Sequence, residues 1–203
     1  MRADLHLAAL ATVSERCRDL LADHLDVRLP PIRFDLKWCD VGSERVFTDY
    51  VDTVVLELSS PTQLEPPPVG FTCLYGTCHE IGHLAVARLC PNRLPPVVWD
   101  EALAHHLATW LLLPGIADPD GSVPWPDPYP DFIERETSML SAVEGSPLSR
   151  YDASLLQLDR RLTRLRERVG WDGLADAVRR LRPQDHRAHL FGAALDRAVR
   201  VRC

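Results

Sequence analysis

Lysine is almost missing from these 203 residues. Lys37 is the only one, and the other cations are all arginine. The bias is that of a GC-rich genome, and no function is read from it. No apolar run approaches the length needed to span a membrane. The first residues, Met1 to Val13, are apolar, but Asp4 and His6 interrupt them and they run on into a charged amphipathic pattern, so no signal peptide is expected. A surplus of positive charge is also lacking. The formal net charge of −6 argues against nucleic acid as a partner. The six cysteines (Cys17, Cys39, Cys73, Cys78, Cys90 and Cys203) contain no C-x₂-C pair. Without a secretion signal they are expected to be reduced thiols in the cytoplasm, with Cys73 and Cys78 acting as small buried hydrophobes.

The remaining composition is that of an ordinary globular protein, long enough for one domain with a sizeable core. The pattern predicts a first helix over 4–26, with Leu5, Leu7, Leu10, Val13, Cys17, Leu20, Leu21 and Leu25 at helical spacing. Ile32–Trp38 alternates strictly and reads as a strand. Val51–Leu58 is β-branched and reads as a second strand, with a turn at 40–44 between them. Pro61 to Gly70 is a proline-rich connector, and Thr72 is a candidate cap for the helix that follows. A stretch dense in Pro, Asp and Gly spans 114–130. It is long for an unstructured loop, so Trp125 and Tyr129 are either substrate contacts in a cleft wall or anchors of a surface loop. Helices are expected at 131–143, 151–169, 171–181 and 184–200. The charged side of 151–169 is read as a solvated face.

The chain is organised around Cys78-His79-Glu80-Ile81-Gly82-His83, an H-E-x-x-H sequence. In a helix, residues four apart share a face, so His79 and His83 would offer two imidazoles to one metal ion. Glu80 lies roughly 100° round the same turn, placed to meet a metal-bound water rather than the metal. Gly82, between the histidines, costs about 1 kcal/mol relative to alanine and so implies close packing there. A second helical pattern runs from Trp99 to Leu113, stopped by Pro114-Gly115. Residues 84–100 suffice to end one helix, turn at 91–96 and bring a second back beside the first. Glu101 then completes His79, His83 and Glu101, the His₂Glu set of a catalytic zinc.

These residues resemble the gluzincin metallopeptidases, the group that includes thermolysin and the aminopeptidase N family. Asp100-Glu101-Ala102-Leu103-Ala104 is similar to the N-E-G-x-A motif that supplies the third ligand in the latter. Arg150-Tyr151-Asp152-Ala153-Ser154-Leu155-Leu156 is similar to a segment carrying a transition-state tyrosine there, which implies Tyr151 as the oxyanion donor. Glu101, Ala104, Leu107, Ala108, Leu111, Leu112 and Pro114 also resemble the E-x-x-A-N-x-F-A-x-x-L-L-x-P segment of the ImmA/IrrE-type metalloproteases, with His105 for the usual Asn. The two resemblances agree on metal, ligands and base and differ in substrate.

The resemblance implies a single α+β domain over 1–203, mostly helical and zincin-like. The N-terminal helix and a small sheet would occupy 1–69, the metal helices 70–113, and a loop with C-terminal helices 114–203. It implies zinc as cofactor, Glu80 as general base, and Val51–Leu58 as an edge strand that binds substrate backbone, although that strand reads equally well as purely structural. His186 or His189 could replace Tyr151. His105 could orient a ligand, add a fourth one or line the cleft, Asp100 could support a ligand histidine, and His106 reads as structural. Peptide hydrolysis is the leading expectation. The alternatives are a regulatory protease acting on a repressor-like protein, and a non-peptidase enzyme or binding scaffold using the same site. No segment of the type that grips a free amino terminus is present, which argues against aminopeptidase action.

Overall fold

The computed structural model describes residues 2–41, 45–60, 69–116, 150–187 and 189–201, with side chains for 10–41, 45–60, 74–116, 154–187 and 189–201. It is a mostly helical α+β fold with one three-stranded sheet. Helix α1 (Arg2–Leu25) buries the stripe Leu10, Val13, Cys17, Leu21 and Leu25. It ends where Asp26 takes a left-handed conformation (φ 50), allowing the Val27 N–H to reach back to the Leu21 carbonyl at 3.1 Å.

The sheet holds β1 (Arg33–Trp38), β2 (Arg45–Thr48) and β3 (Thr53–Leu58) in the order β1-β3-β2. β1 runs parallel to β3 and β2 antiparallel to it. The structure corrects one expectation here. β3 is the central strand, paired on both sides, so its backbone has no free edge for a peptide. Its sequence is apolar because Val54, Val55, Leu56 and Leu58 are all buried. The edge strands are β1 and β2; β2, the one on which α2 packs, has four residues, too few to show a periodic signal.

Helix α2 (Val69–Leu89) begins before Thr72, which therefore lies inside the helix rather than capping it. α2 packs on β2 and on α3 (Val97–Leu107). Between α2 and α3 the close approach falls at Gly82, where a Cβ would stand 2.7 Å from the Ala104 carbonyl oxygen. α3 passes through Pro114 and Gly115 instead of stopping at them. A π-helical turn over Ala108–Leu112 joins it to the short α4 (Leu113–Ile116), with the Leu113 N–H bonded to the Ala108 carbonyl. The wider turn places Pro114 at the start of the next helical segment, where a missing N–H costs little.

Helix α5 (Arg150–Arg179) is two helices joined at Gly170, whose φ of 73° and ψ of 178° break the spiral where Val169-Gly170 was expected to. The predicted helix at 184–200 is shorter: a 3₁₀ turn at Pro183–Asp185 precedes α6 (Phe191–Arg200). One core joins α1, the inner face of the sheet, α2, α3, α5 and α6. The expected helix 131–143, and Trp125 and Tyr129, lie outside the described residues. Cys17, Cys78 and Cys90 carry free thiols, and Cys17 and Cys78 are buried against each other. Among the described residues no helix is long and apolar enough to cross a membrane.

Candidate metal centre

His79 and His83 stand one turn apart on the face of α2 that meets α3. Their Nε2 atoms are 3.2 Å from each other. Glu101, in the second turn of α3, places Oε2 3.2 Å from His79 Nε2 and 3.7 Å from His83 Nε2. Three donor atoms from two helices thus converge on one point, and the Gly82–Ala104 contact sets how closely those helices approach. Glu80 is beside them: ligand atoms of His79, Glu80 and His83 lie within 4.8 Å of one another, a group that could hold a metal ion. Two carboxylates therefore compete for the third position. Glu101 is the better placed, because a single oxygen faces both imidazole nitrogens.

Each histidine has its other ring nitrogen buried. His83 Nδ1 lies 3.0 Å from Asp100 Oδ2, at ion-pair distance though off the line of a hydrogen bond. The His79 Nδ1 has no partner among the described residues. The same Asp100 oxygen accepts the Tyr50 hydroxyl at 2.9 Å, and the Tyr50 ring sits 5.5 Å from that of His83. Tyr50 has a left-handed backbone (φ 61). The turn that imposes it is tied by Asp49, whose Oδ1 accepts the N–H groups of Val51, Asp52 and Thr53 at 2.8–3.0 Å.

The electrostatics favour a cation. Burial pulls the His83 pKa down, but Asp100, Glu101 and Glu80 lift it to about 10. The bonds from His79 and His83 hold the Glu101 carboxyl far below the usual carboxylate range. Burial pushes Glu80 up, against the pull of His83, His79 and a hydrogen bond from the Thr48 backbone. Two imidazoles among three carboxylates form a pocket that stabilises added positive charge, a proton on His83 or a metal ion held in its place by the deprotonated Nε2 atoms.

Other residues are distributed as follows. His105 does not join the cluster: its Nδ1 lies 2.6 Å from the Tyr75 hydroxyl. Tyr75, one turn before His79, has its ring 6.0 Å from that of His79. His106 Nδ1 donates to Asp159 on α5 at 2.7 Å, and Trp110 Nε1 donates to the other Asp159 oxygen at 3.3 Å. His186 is buried against Phe191, with Nδ1 3.2 Å from the Leu94 carbonyl, and His189 is exposed in a turn. Tyr151 begins α5, and its side chain lies outside those described.

Sequence reasoning missed Tyr50, Tyr75 and Asp159. Tyr75 had a usable signal, since 75, 79 and 83 fall at one helical spacing. Tyr50 and Asp159 had none, because their partners are 50 and 53 residues away. Compared with protein-family models, with curated proteins and with solved structures, the chain matches none.

Proposed function

We propose that the chain is a zinc-dependent peptide hydrolase, with His79, His83 and Glu101 as metal ligands and Glu80 as general base. The observation that carries the reading is the spacing of the three donor atoms: 3.2, 3.2 and 3.7 Å. A tetrahedral zinc with bonds of about 2.05 Å holds its donors about 3.3 Å apart. The donor set, two imidazoles and a carboxylate, is that of a catalytic rather than a structural site. The H-E-x-x-H sequence and its resemblance to gluzincins support the same assignment.

When bound, zinc would act as a Lewis acid and lower the pKa of a coordinated water. The chain's own residues supply the rest. Glu80 has a ligand atom within 4.8 Å of those of the two histidines, and burial raises its proton affinity, which suits a base that must accept a proton and pass it to a leaving amine. Asp100 orients His83, and Tyr50 in turn fixes Asp100. The Thr48 amide steadies Glu80 from the outer edge of β2. An extended substrate would therefore pair along β2, not β3. Tyr151 remains the proposed oxyanion donor on resemblance alone. A protein or peptide is the proposed substrate, handled in the cytoplasm.

Elemental analysis of wild type and Glu101→Ala tests the metal assignment. About one zinc per wild-type chain, largely lost in the variant, is expected; no zinc after supplementation would overturn it. Cleavage of a peptide library by wild type but not by Glu80→Gln tests the reaction. A zinc-loaded protein that cleaves nothing would leave a metal-binding scaffold.

A further inference from the structure

The C-terminal ends of α2 and α5 meet around a cavity of about 360 Å³. It is lined by the polar residues Arg88, Asn92, Arg93, Arg179 and His186 and by the apolar residues Leu89, Pro91, Val178, Leu181 and Pro183. No carboxylate lines it. The one remaining lining group that could become anionic is Cys90, and burial, with Asp100 nearby, pushes its thiol up to about 12, so it stays neutral.

Arginines near helix C-termini often serve only to neutralise carbonyls. That role accounts for Arg179, at the end of α1, but not for Arg88 or Arg93. The Cys90 N–H takes the Val86 carbonyl, and the Arg180 and Leu181 N–H groups take those of Asp176 and Val178. Arg88 and Arg93 instead reach across to the carbonyls of Val51 and Pro183, each at 3.5 Å, the limit of a hydrogen bond. Neither has a carboxylate partner among the described residues. Arg179 is held in place by the carbonyls of Leu25 and Asp26 and by Asp176 at 3.3 Å. The sequence of residues 150–203 is itself cationic, with thirteen arginines against seven acidic residues, although the whole chain is −6. The lining thus combines one fixed arginine and two without a carboxylate partner among the described residues with several apolar residues. It is much larger than a single inorganic anion and falls in the range of small-ligand pockets.

We propose that this cavity binds a small organic anion, its phosphate or carboxylate held by Arg88, Arg93 and Arg179 and its apolar body laid on Leu89, Val178 and Leu181. Guanidinium groups bind both oxyanions through paired N–H donors, so the two share one chemistry. The site is separate from His79, His83 and Glu101 and does not depend on the hydrolase reading.

The test is an amide-resolved NMR titration of the zinc-supplemented full chain with phenyl phosphate, phenylacetate and neutral benzyl alcohol. Saturable shifts at residues 88–94 and 178–187 are expected with an anion and not with the alcohol. Stronger binding of phenyl phosphate would assign a phosphate monoester, and stronger binding of phenylacetate a carboxylate. The double variant Arg88→Gln, Arg93→Gln should weaken binding by about tenfold or more while leaving the rest of the spectrum in place, since both side chains are exposed. Four results would each overturn the proposal: no saturable shift with either anion, equal binding by the double variant, equal binding of benzyl alcohol, or shifts confined to residues 79–83 and 101.

Discussion

At the scale of single residues the chain is most constrained at Gly82. Alanine there would gain about 1 kcal/mol of helix propensity. It would also put a methyl group 2.7 Å from a backbone oxygen and 2.9 Å from the Ala104 Cα, neither of which can swing aside. Forcing α2 from α3 costs about 1–3 kcal/mol and also moves Glu101 away from the histidines. Gly82→Ala is therefore expected to lower the urea midpoint and to weaken zinc binding together. An unchanged midpoint would show that the helices do not pack as described. Tyr50→Phe separates the two effects. It removes one hydroxyl from a half-exposed ring, so stability should hardly move, while loss of the Asp100 bond should weaken zinc affinity by about tenfold, read by competition with a chromophoric chelator. The histidine pair was legible in the sequence because both residues sit on one helix at a fixed spacing. Tyr50 was not, because its place depends on a turn and on a strand order that no local pattern encodes.

At the scale of elements, the legible parts are those whose signal is local. α1, β1 and the break at Gly170 follow from periodicity and from one glycine. β2 escaped notice because Arg45-Val46-Phe47-Thr48 is four residues long, and the role of β3 as central strand escaped because strand order is set by packing, not by sequence period. Pro114 was read as a stop because a regular α-helix would stop there. The π turn is the tertiary solution that carries the chain past it, with Gly115 packed where a Cβ would strike Leu20 at 2.4 Å. The 49–53 turn provides a test of how one element positions another. Asp49→Ala strips three backbone amides of their acceptor. A loss of about 1 kcal/mol is expected from the loss of a capping carboxylate, with added amide exchange at residues 51–53. Hydrogen bonds from Thr53, Val51 and Asp52 outweigh burial and bring the Asp49 pKa down to about 2. Its contribution is present above the ordinary value of 3.8 and lost as pH falls through about 2. Unchanged exchange in the variant would mean that the turn is held by other contacts.

At the scale of the whole molecule, the fold spans α3 and α5 with a buried polar pair. His106 and Asp159 have side chains only 1% and 6% exposed. Burial drives the His106 pKa below 6.5, with Arg166 pushing the same way and Asp159 opposing. Its Nδ1–H faces Asp159, its Nε2 has no partner among the described residues, and the Trp171 ring packs 5.3 Å away. A proton added at Nε2 would be buried without an acceptor. The unfolded chain accepts that proton below about pH 6.5 and the folded chain resists it, so this histidine stabilises the fold above that pH and loses its contribution as the pH falls. The slope of the denaturation midpoint between pH 7 and pH 5 should be reduced in His106→Gln. An identical slope would exclude this pair as its source.

The candidate metal centre joins α3 to α2, since two of its proposed donors stand on α2 and one on α3. Anything bound to all three is bound to the folded chain alone, so zinc should raise the melting temperature by mass action. At a hundredfold excess over Kd the linkage is about 2.7 kcal/mol, or about 5–10 °C for a chain of this size. The two glutamates near the histidines are separated by this shift. Glu101→Gln removes a donor shared by both imidazoles and should lose most of the zinc-induced rise. Glu80→Gln removes the proposed base and should keep it. If Glu80→Gln loses the shift and Glu101→Gln keeps it, the third ligand is Glu80, the helix α2 carries the whole donor set, and the proposed catalysis has no base. The reading of the chain as a hydrolase then fails at the step where two helices, rather than one, were needed to build the site.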